Sequence, residues 1–244
     1  MSGHSKWHSI RHKKAATDAK RGKILTKHSK ILNVIGRNDP NPETNPALRV
    51  AIVNAKADSV PKDNIERILK KLAGGDKDGV IYSEQVYEGF GPDGIPFVVT
   101  ALTDNVNRTF PNVRTAWGKS GGNMGSQGSV MFMFDHAGVI VINNEDKSEE
   151  ALFEAAIEAG AQDFHYDEAG ESEVITAFKD LSSVQKALEN QSVTIIKSEP
   201  QYRAKDPKAI SDPEILAKLE RFIAALEEVE DVDEVFSGYY PEEN

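Results

Sequence analysis

GVIVINNEDKSEEALFEAAIEAGAQDFHYDEAGESEVITAFKDLSSVQKALENQSVTIIKS, residues 138–198, switches repeatedly between two hydrophobic periods. Residues 138–142, 161–165, 173–178 and 192–198 are short apolar or alternating runs, as in strands. Residues 148–159 and 181–189 repeat their apolar positions every three or four, as in amphipathic helices. Taken in order these segments predict βαββαβ, the ferredoxin-like series.

The flanks of this series complete one another. On its N-terminal side, residues 84–90 and 95–103 read as strands around Gly91-Pro92-Asp93-Gly94, a hairpin signal. A helix is expected from about Asn107, with Phe110, Val113 and Trp117 on one side and Pro111 within its first turn. Residues 121–126 read as a loop and residues 129–134 as a further strand. That ββαβ unit lacks a second helix to cover its sheet. On the C-terminal side, Asp212-Pro213 opens a helix with the stripe Leu216, Leu219, Ile223 and Leu226, and residues 232–236 form a strand. These two elements have no partners nearby in sequence. Joining them to the orphan unit gives one discontinuous domain, residues 77–134 and 206–244, with residues 135–205 inserted.

Residues 1–76 are of a different kind. In residues 2–21 only Trp7 and Ile10 are large and apolar, so an arm ordered by a partner is expected. From Gly22, Ile24, His28, Ile31, Leu32 and Ile35 share one helical face and Lys23, Lys27, Lys30 and Arg37 another. Asn45-Pro46 opens a second helix with Leu48, Ile52 and Ala55 inward, and Pro61 a third with Ile65, Ile68, Leu69 and Leu72 inward. The fold class is therefore α+β: an N-terminal helical bundle with a basic arm, followed by two ferredoxin-like α/β domains, one inserted in the other.

Charge is segregated along the chain. The 244 residues carry a formal net charge of −10. Through Arg37 there are ten Lys and Arg against one acid, Asp18, a net of +9. Before Asp76 there are 16 basic and 6 acidic residues, and the remainder has 13 basic and 33 acidic, a net of −20. A one-signed basic block beside a basic helical stripe suits a phosphate backbone, and Trp7 can stack on an exposed base. The candidate nucleic-acid contacts are Lys6, Trp7, Arg11, Lys13, Lys14, Lys20, Arg21, Lys23, Lys27 and Lys30. The acidic remainder repels nucleic acid and confines contact to the head.

Other chemistries find less support. With no cysteine there are no disulfides, thiol nucleophiles or cysteine-bound metals. No apolar run reaches eighteen residues and no signal-peptide pattern appears, so a cytoplasmic protein without membrane contact is expected. His4, His8 and His12 lie four apart, but the Lys and Arg crowded among them oppose a bound cation, so no metal is expected. Gly118-Lys119-Ser120 imitates the end of a phosphate loop, yet Val113 stands where that loop needs glycine. The glycines of GGNMGSQG, residues 121–128, read as a flexible loop whose amides could at most meet a phosphate. Asp104, Asn105 and Asn107 read as turn and cap residues. No Ser/His/Asp set, cofactor motif or small-molecule site stands out, and no enzyme is expected.

Several longer stretches carry a resemblance. GHSKWHSIRHKKAATDAKRGKILTK (residues 3–27), NPALRVAIVNAKADSVPKDNIERILKK (45–71), YEGFGPDG (87–94), LTDNVNRTFPNVR (102–114), GGNMGSQGSVMFMFD (121–135) and LEEVEDVDEVF (226–236) resemble the YebC/PmpR family across the whole chain. The resemblance implies a three-domain shape, a helical head and two α/β domains with one split by the other. It implies a DNA-binding transcriptional regulator. The alternative it implies is a translation factor bound to ribosomal or transfer RNA on the ribosome, relieving stalling at consecutive prolines. The short connection after Arg37, and Pro96 and Pro111, depart from the family pattern without touching the basic arm.

Overall fold

The computed structural model describes residues 18–74, 80–144, 147–167 and 170–242. Three helices come first: α1 (Asp18–Gly36), α2 (Pro46–Ala57) and α3 (Lys62–Ala73). Asn45 caps α2 as its sequence predicts, its side-chain oxygen accepting the Leu48 N–H at 3.1 Å, with Pro46 in the first turn. The three helices close on Leu32, Leu48, Ala51, Ala55, Val60 and Ile65. Removing each large side chain of this set from water is worth about 1.5–3 kcal/mol. His28 of α1 is buried with them. Its Nε2 lies 2.7 Å from Oδ2 of Asp58, at the C-cap of α2, so the buried ring has a charged partner.

The βαββαβ segment runs β4 (Phe134–Asn143), α5 (Glu149–Ala159), β5 (Asp163–His165), β6 (Glu171–Ala177), α6 (Leu181–Asn190) and β7 (Ile195–Ala204). Its sheet has the order β5-β6-β4-β7, the ferredoxin-like arrangement. The β4–β6 and β6–β5 pairs are antiparallel. Ser148 caps α5, and Gly160 at φ 90° ends it in the left-handed conformation that glycine adopts without strain. Ile140, Ile142, Leu152, Val174, Val184 and Leu188 fill the space between this sheet and its two helices.

The remaining elements make a second four-stranded sheet, a short two-stranded pair and two helices. They are β1 (Ser83–Phe90), β2 (Pro96–Thr103), α4 (Val106–Lys119), β3 (Asn123–Met124), β8 (Lys208–Ile210), α7 (Pro213–Glu227), β9 (Val232–Ser237) and β10 (Tyr239–Pro241). The order is β3-β1-β2-β9, so the hairpin supplies both central strands, and the C-terminal strand joins from the far end of the sequence. Asp93 (φ 55°) and Gly94 (φ 69°) turn that hairpin in left-handed backbone. Phe97 of β2 packs on Phe222 of α7, which in turn meets Trp117 of α4 edge-on. Asp212 caps α7 by accepting the Glu214 N–H at 2.8 Å. The parallel pair β8–β10 has no counterpart in the sequence pattern.

Residues 129–134 do not form the strand their composition suggests. Met131–Met133 is a single 3-10 turn, and β4 begins at Phe134. The cause is Glu88 of β1, whose buried carboxylate accepts the N–H groups of Gly128, Val130 (2.7 Å) and Met131 (2.8 Å). Those donors cannot also serve a ladder.

By contacts the chain divides into two compact units, Met1–Gly79 with His136–Gln201, and Val80–Asp135 with Tyr202–Asn244. The helical head thus shares a unit with the βαββαβ sheet. The join between them is specific: Asn54 of α2 accepts the Ser198 N–H at 2.8 Å and donates to the Ser198 carbonyl, pairing with edge strand β7 as another strand would.

Candidate nucleic-acid interface

The basic stripe of α1 is built by spacing. At about 100° per residue, Lys23, Lys27 and Lys30 fall within one arc, with Lys30 some 200° around the helix from the core residue Leu32, while Arg37 lies in the turn just past Gly36. The three lysines are covered progressively along the helix. Lys23 is exposed and Lys27 half-buried, while Lys30 is only 8% exposed. Lys30 therefore lies inside the protein rather than on an open face, its methylenes shielded. Lys20 and Arg21 lie on the first turn of α1. Lys6, Trp7, Arg11, Lys13 and Lys14 lie outside the described residues, as do His4, His8 and His12.

Further cations stand on the head that the helical stripe did not flag. Lys56 at the end of α2, and Arg67, Lys70 and Lys71 on α3, are all exposed. Lys70 and Lys71 fall in the last turn of α3, where the helix dipole favours positive charge. Their signal in the sequence is the excess of basic residues before Asp76. Arg67 donates to Asn64 at 2.9 Å, and Lys62 pairs with Glu66 at 3.6 Å, an exposed helix-surface pair of small energetic weight.

Two acids near the join of α2 and β7, Asp58 and Glu199, have cationic or histidine partners. Burial pushes the Asp58 carboxyl up, but the His28 hydrogen bond and the nearby Lys197, His28 and Lys27 outweigh it and hold the group below the usual carboxylate range. Lys197 itself lies 2.7 Å from Glu199. Among the described residues, no group of three His, Asp or Glu side chains converges as a metal site, and no helix is long and apolar enough to cross a membrane.

The glycine-rich stretch is not an anion cradle. The amides of Gly128, Val130 and Met131 are directed at the Glu88 carboxylate, so a phosphate would meet a buried negative charge. Nor is it loose. Gly125 N–H donates to the Glu88 carbonyl at 2.8 Å, and a Cβ on Gly89 would lie within 2.8 Å of Met124 backbone. The TDN turn is also more than a cap. Asn105 caps α4, but buried Asp231 draws in Arg108 (2.8 Å) and Thr109 (2.7 Å), tying α4 to the start of β9.

A helical head bearing concentrated positive charge, followed by two predominantly acidic antiparallel sheets, defines an α+β protein with one strongly basic end. Comparison with known proteins places it further. Residues 5–75 match the TACO1/YebC protein N-terminal domain, and residues 82–239 the TACO1/YebC second and third domain. The chain belongs to the TACO1/YebC family. It is 45% identical over 240 residues to a protein of Persephonella marina named "Probable transcriptional regulatory protein", covering 98% of this chain and 96% of that one. It is 46% identical over 246 residues to "Probable transcriptional regulatory protein ORF2U" of Hathewaya histolytica, covering 99% and 98%. A crystal structure titled as a conserved hypothetical protein from Aquifex aeolicus superposes with a TM-score of 0.84 at 39% identity, covering 96% of each chain.

Proposed function

We propose that the protein is a nucleic-acid-binding regulator of gene expression, working in the cytoplasm as a DNA-binding transcriptional regulator and not as an enzyme. The observation that carries this is the segregation of charge: +9 through Arg37 against −20 from Asp76 onward. Exposed Lys23, Lys56, Arg67, Lys70 and Lys71 extend the basic region over the head. Cations so placed neutralise phosphates and release counterions, while the acidic sheets keep the polyanion away from the rest of the chain. The names of the relatives support a regulatory role.

A second reading is a translation factor that binds RNA on the ribosome and relieves stalling at consecutive prolines. It is favoured by Trp7, which suits an unpaired base better than a duplex. It is favoured too by the described helices of the head, none of which carries an evident base-reading side-chain set for the major groove. Sedimentation of the native protein with ribosomes, set against its recovery on DNA, separates the two. Deleting residues 1–21 should abolish binding to either ligand while the far-ultraviolet spectrum is kept; unchanged affinity would overturn the electrostatic basis of both readings.

A further inference from the structure

We propose that the outer edge of β1 is a docking site for an extended, basic polypeptide segment of a partner protein, which joins the β3-β1-β2-β9 sheet as an added strand. The register supports it. The Glu88 carbonyl accepts the Gly125 N–H on the β3 side of β1. Main-chain groups alternate in direction along a strand, so those of Val86 and Glu84 point the same way. The β3 strand pairs with Gly89 and Phe90, and among the described residues the sheet has no other strand on that side. Among the described residues the one hydrogen bond given to these outward groups is local, from the Gln85 side-chain amide to the Glu84 carbonyl at 2.8 Å. An incoming N–H can replace it.

The side chains beside this edge suit the same occupant. Val86 is 45% exposed on one face of the sheet, and Ile81, just before the strand, is 66% exposed. On the other face Tyr87 packs against Phe110, which is itself 42% exposed. Apolar surface thus flanks the open edge on both sides, where an added strand lays alternate side chains. Edges that are kept unpaired carry lysine, proline or a bulge; residues 80–87 contain neither lysine nor proline, and the β1–β2 register is unbroken from Ser83 to Phe90. The charge at the edge is Glu84. The surrounding unit, residues 80–135 and 202–244, has eight Lys and Arg against seventeen Asp and Glu, a net of −9. That field attracts a strand rich in Lys or Arg and disfavours a second copy of the same acidic unit.

The test uses the full-length chain and two fluorescein-labelled decapeptides, one alternating Lys and Val, the other Glu and Val. The Lys/Val peptide should bind about tenfold or more tightly than the Glu/Val peptide and slow amide exchange at Glu84 and Val86. Val86→Pro removes an outward N–H while sparing the β1–β2 ladder, which uses Ser83, Gln85, Tyr87 and Gly89, and should weaken binding about tenfold or more. Val86→Lys, which leaves the backbone intact, should act in the same direction by charge. Unaltered exchange with peptide present, or binding by both variants as tight as by the native chain, would overturn the proposal. Slowed exchange that grows with protein concentration without peptide would assign the edge to a second copy instead. Nucleic-acid binding should not respond to either variant.

Discussion

Glu88 shows how one side chain decides a local structure. Only 4% exposed, it accepts N–H groups from Gly128, Val130 and Met131. Burial alone would raise its proton affinity, but these donors outweigh it and hold the carboxyl below its ordinary range. Its stabilising contribution is therefore complete above the ordinary carboxylate range near about pH 4–5 and is lost as pH falls through the lower folded value. Glu88→Ala should destabilise the protein by about 2–4 kcal/mol, since three donors lose a charged acceptor. Glu88→Gln should cost less and should flatten the acid limb of stability, read by urea unfolding between about pH 3 and 6. A second buried acid makes the same point. Thr109 gives its one hydroxyl proton to Asp231 at 2.7 Å, so Thr103, 2.7 Å away, must donate to Thr109 while accepting the Asn105 N–H. Thr109→Val should cost about 1.5–3 kcal/mol, because a hydrogen bond to a buried charge is lost without change of shape.

At the scale of elements, the helices, the hairpin and the βαββαβ order were legible because each rests on a local signal. Asn45-Pro46, Ser148 and Asp212-Pro213 cap their own helices, and alternation marks the strands. What was not legible depends on pairs far apart in sequence. Glu88 reads as one polar residue of a strand, and nothing near it announces that residues 128–131 will take its carboxylate. The β8–β10 pair is three residues long on each side, too short for periodicity to register. Lys30 reads as exposed because its own helix places it opposite Leu32; its cover comes from outside that pattern. Asn54 belongs to the same class, as it pairs with Ser198 across 144 residues. Asn54→Ala should leave both main-chain groups of Ser198 without that partner and cost about 1–3 kcal/mol. Faster hydrogen exchange at the Ser198 amide, with the rest of the βαββαβ sheet unaffected, would locate the loss at the join between α2 and β7.

At the scale of the whole molecule, the governing feature is the opposition of charge between the head and the rest. If the head grips phosphates, log K should fall linearly with log salt, by about 0.9 per duplex phosphate neutralised and about 0.7 per single-strand phosphate. Neutralising Lys13, Lys14, Lys20, Arg21 or Lys23 singly should reduce that slope by up to about one unit, alike for every nucleic-acid sequence. Lys30→Gln should change it little, since that side chain is 8% exposed. Trp7→Ala should follow a different rule. If the indole stacks on an unpaired base, its loss should weaken binding by about 1–3 kcal/mol with little change in slope. A duplex offers no unpaired base, so the effect should appear on structured RNA and be small on duplex DNA. Salt titrations of the native chain and Trp7→Ala on both ligands measure this directly. A loss confined to RNA would favour the ribosome-bound reading, whereas equal losses on the two ligands would remove stacking and leave Trp7 as a packing residue of the head.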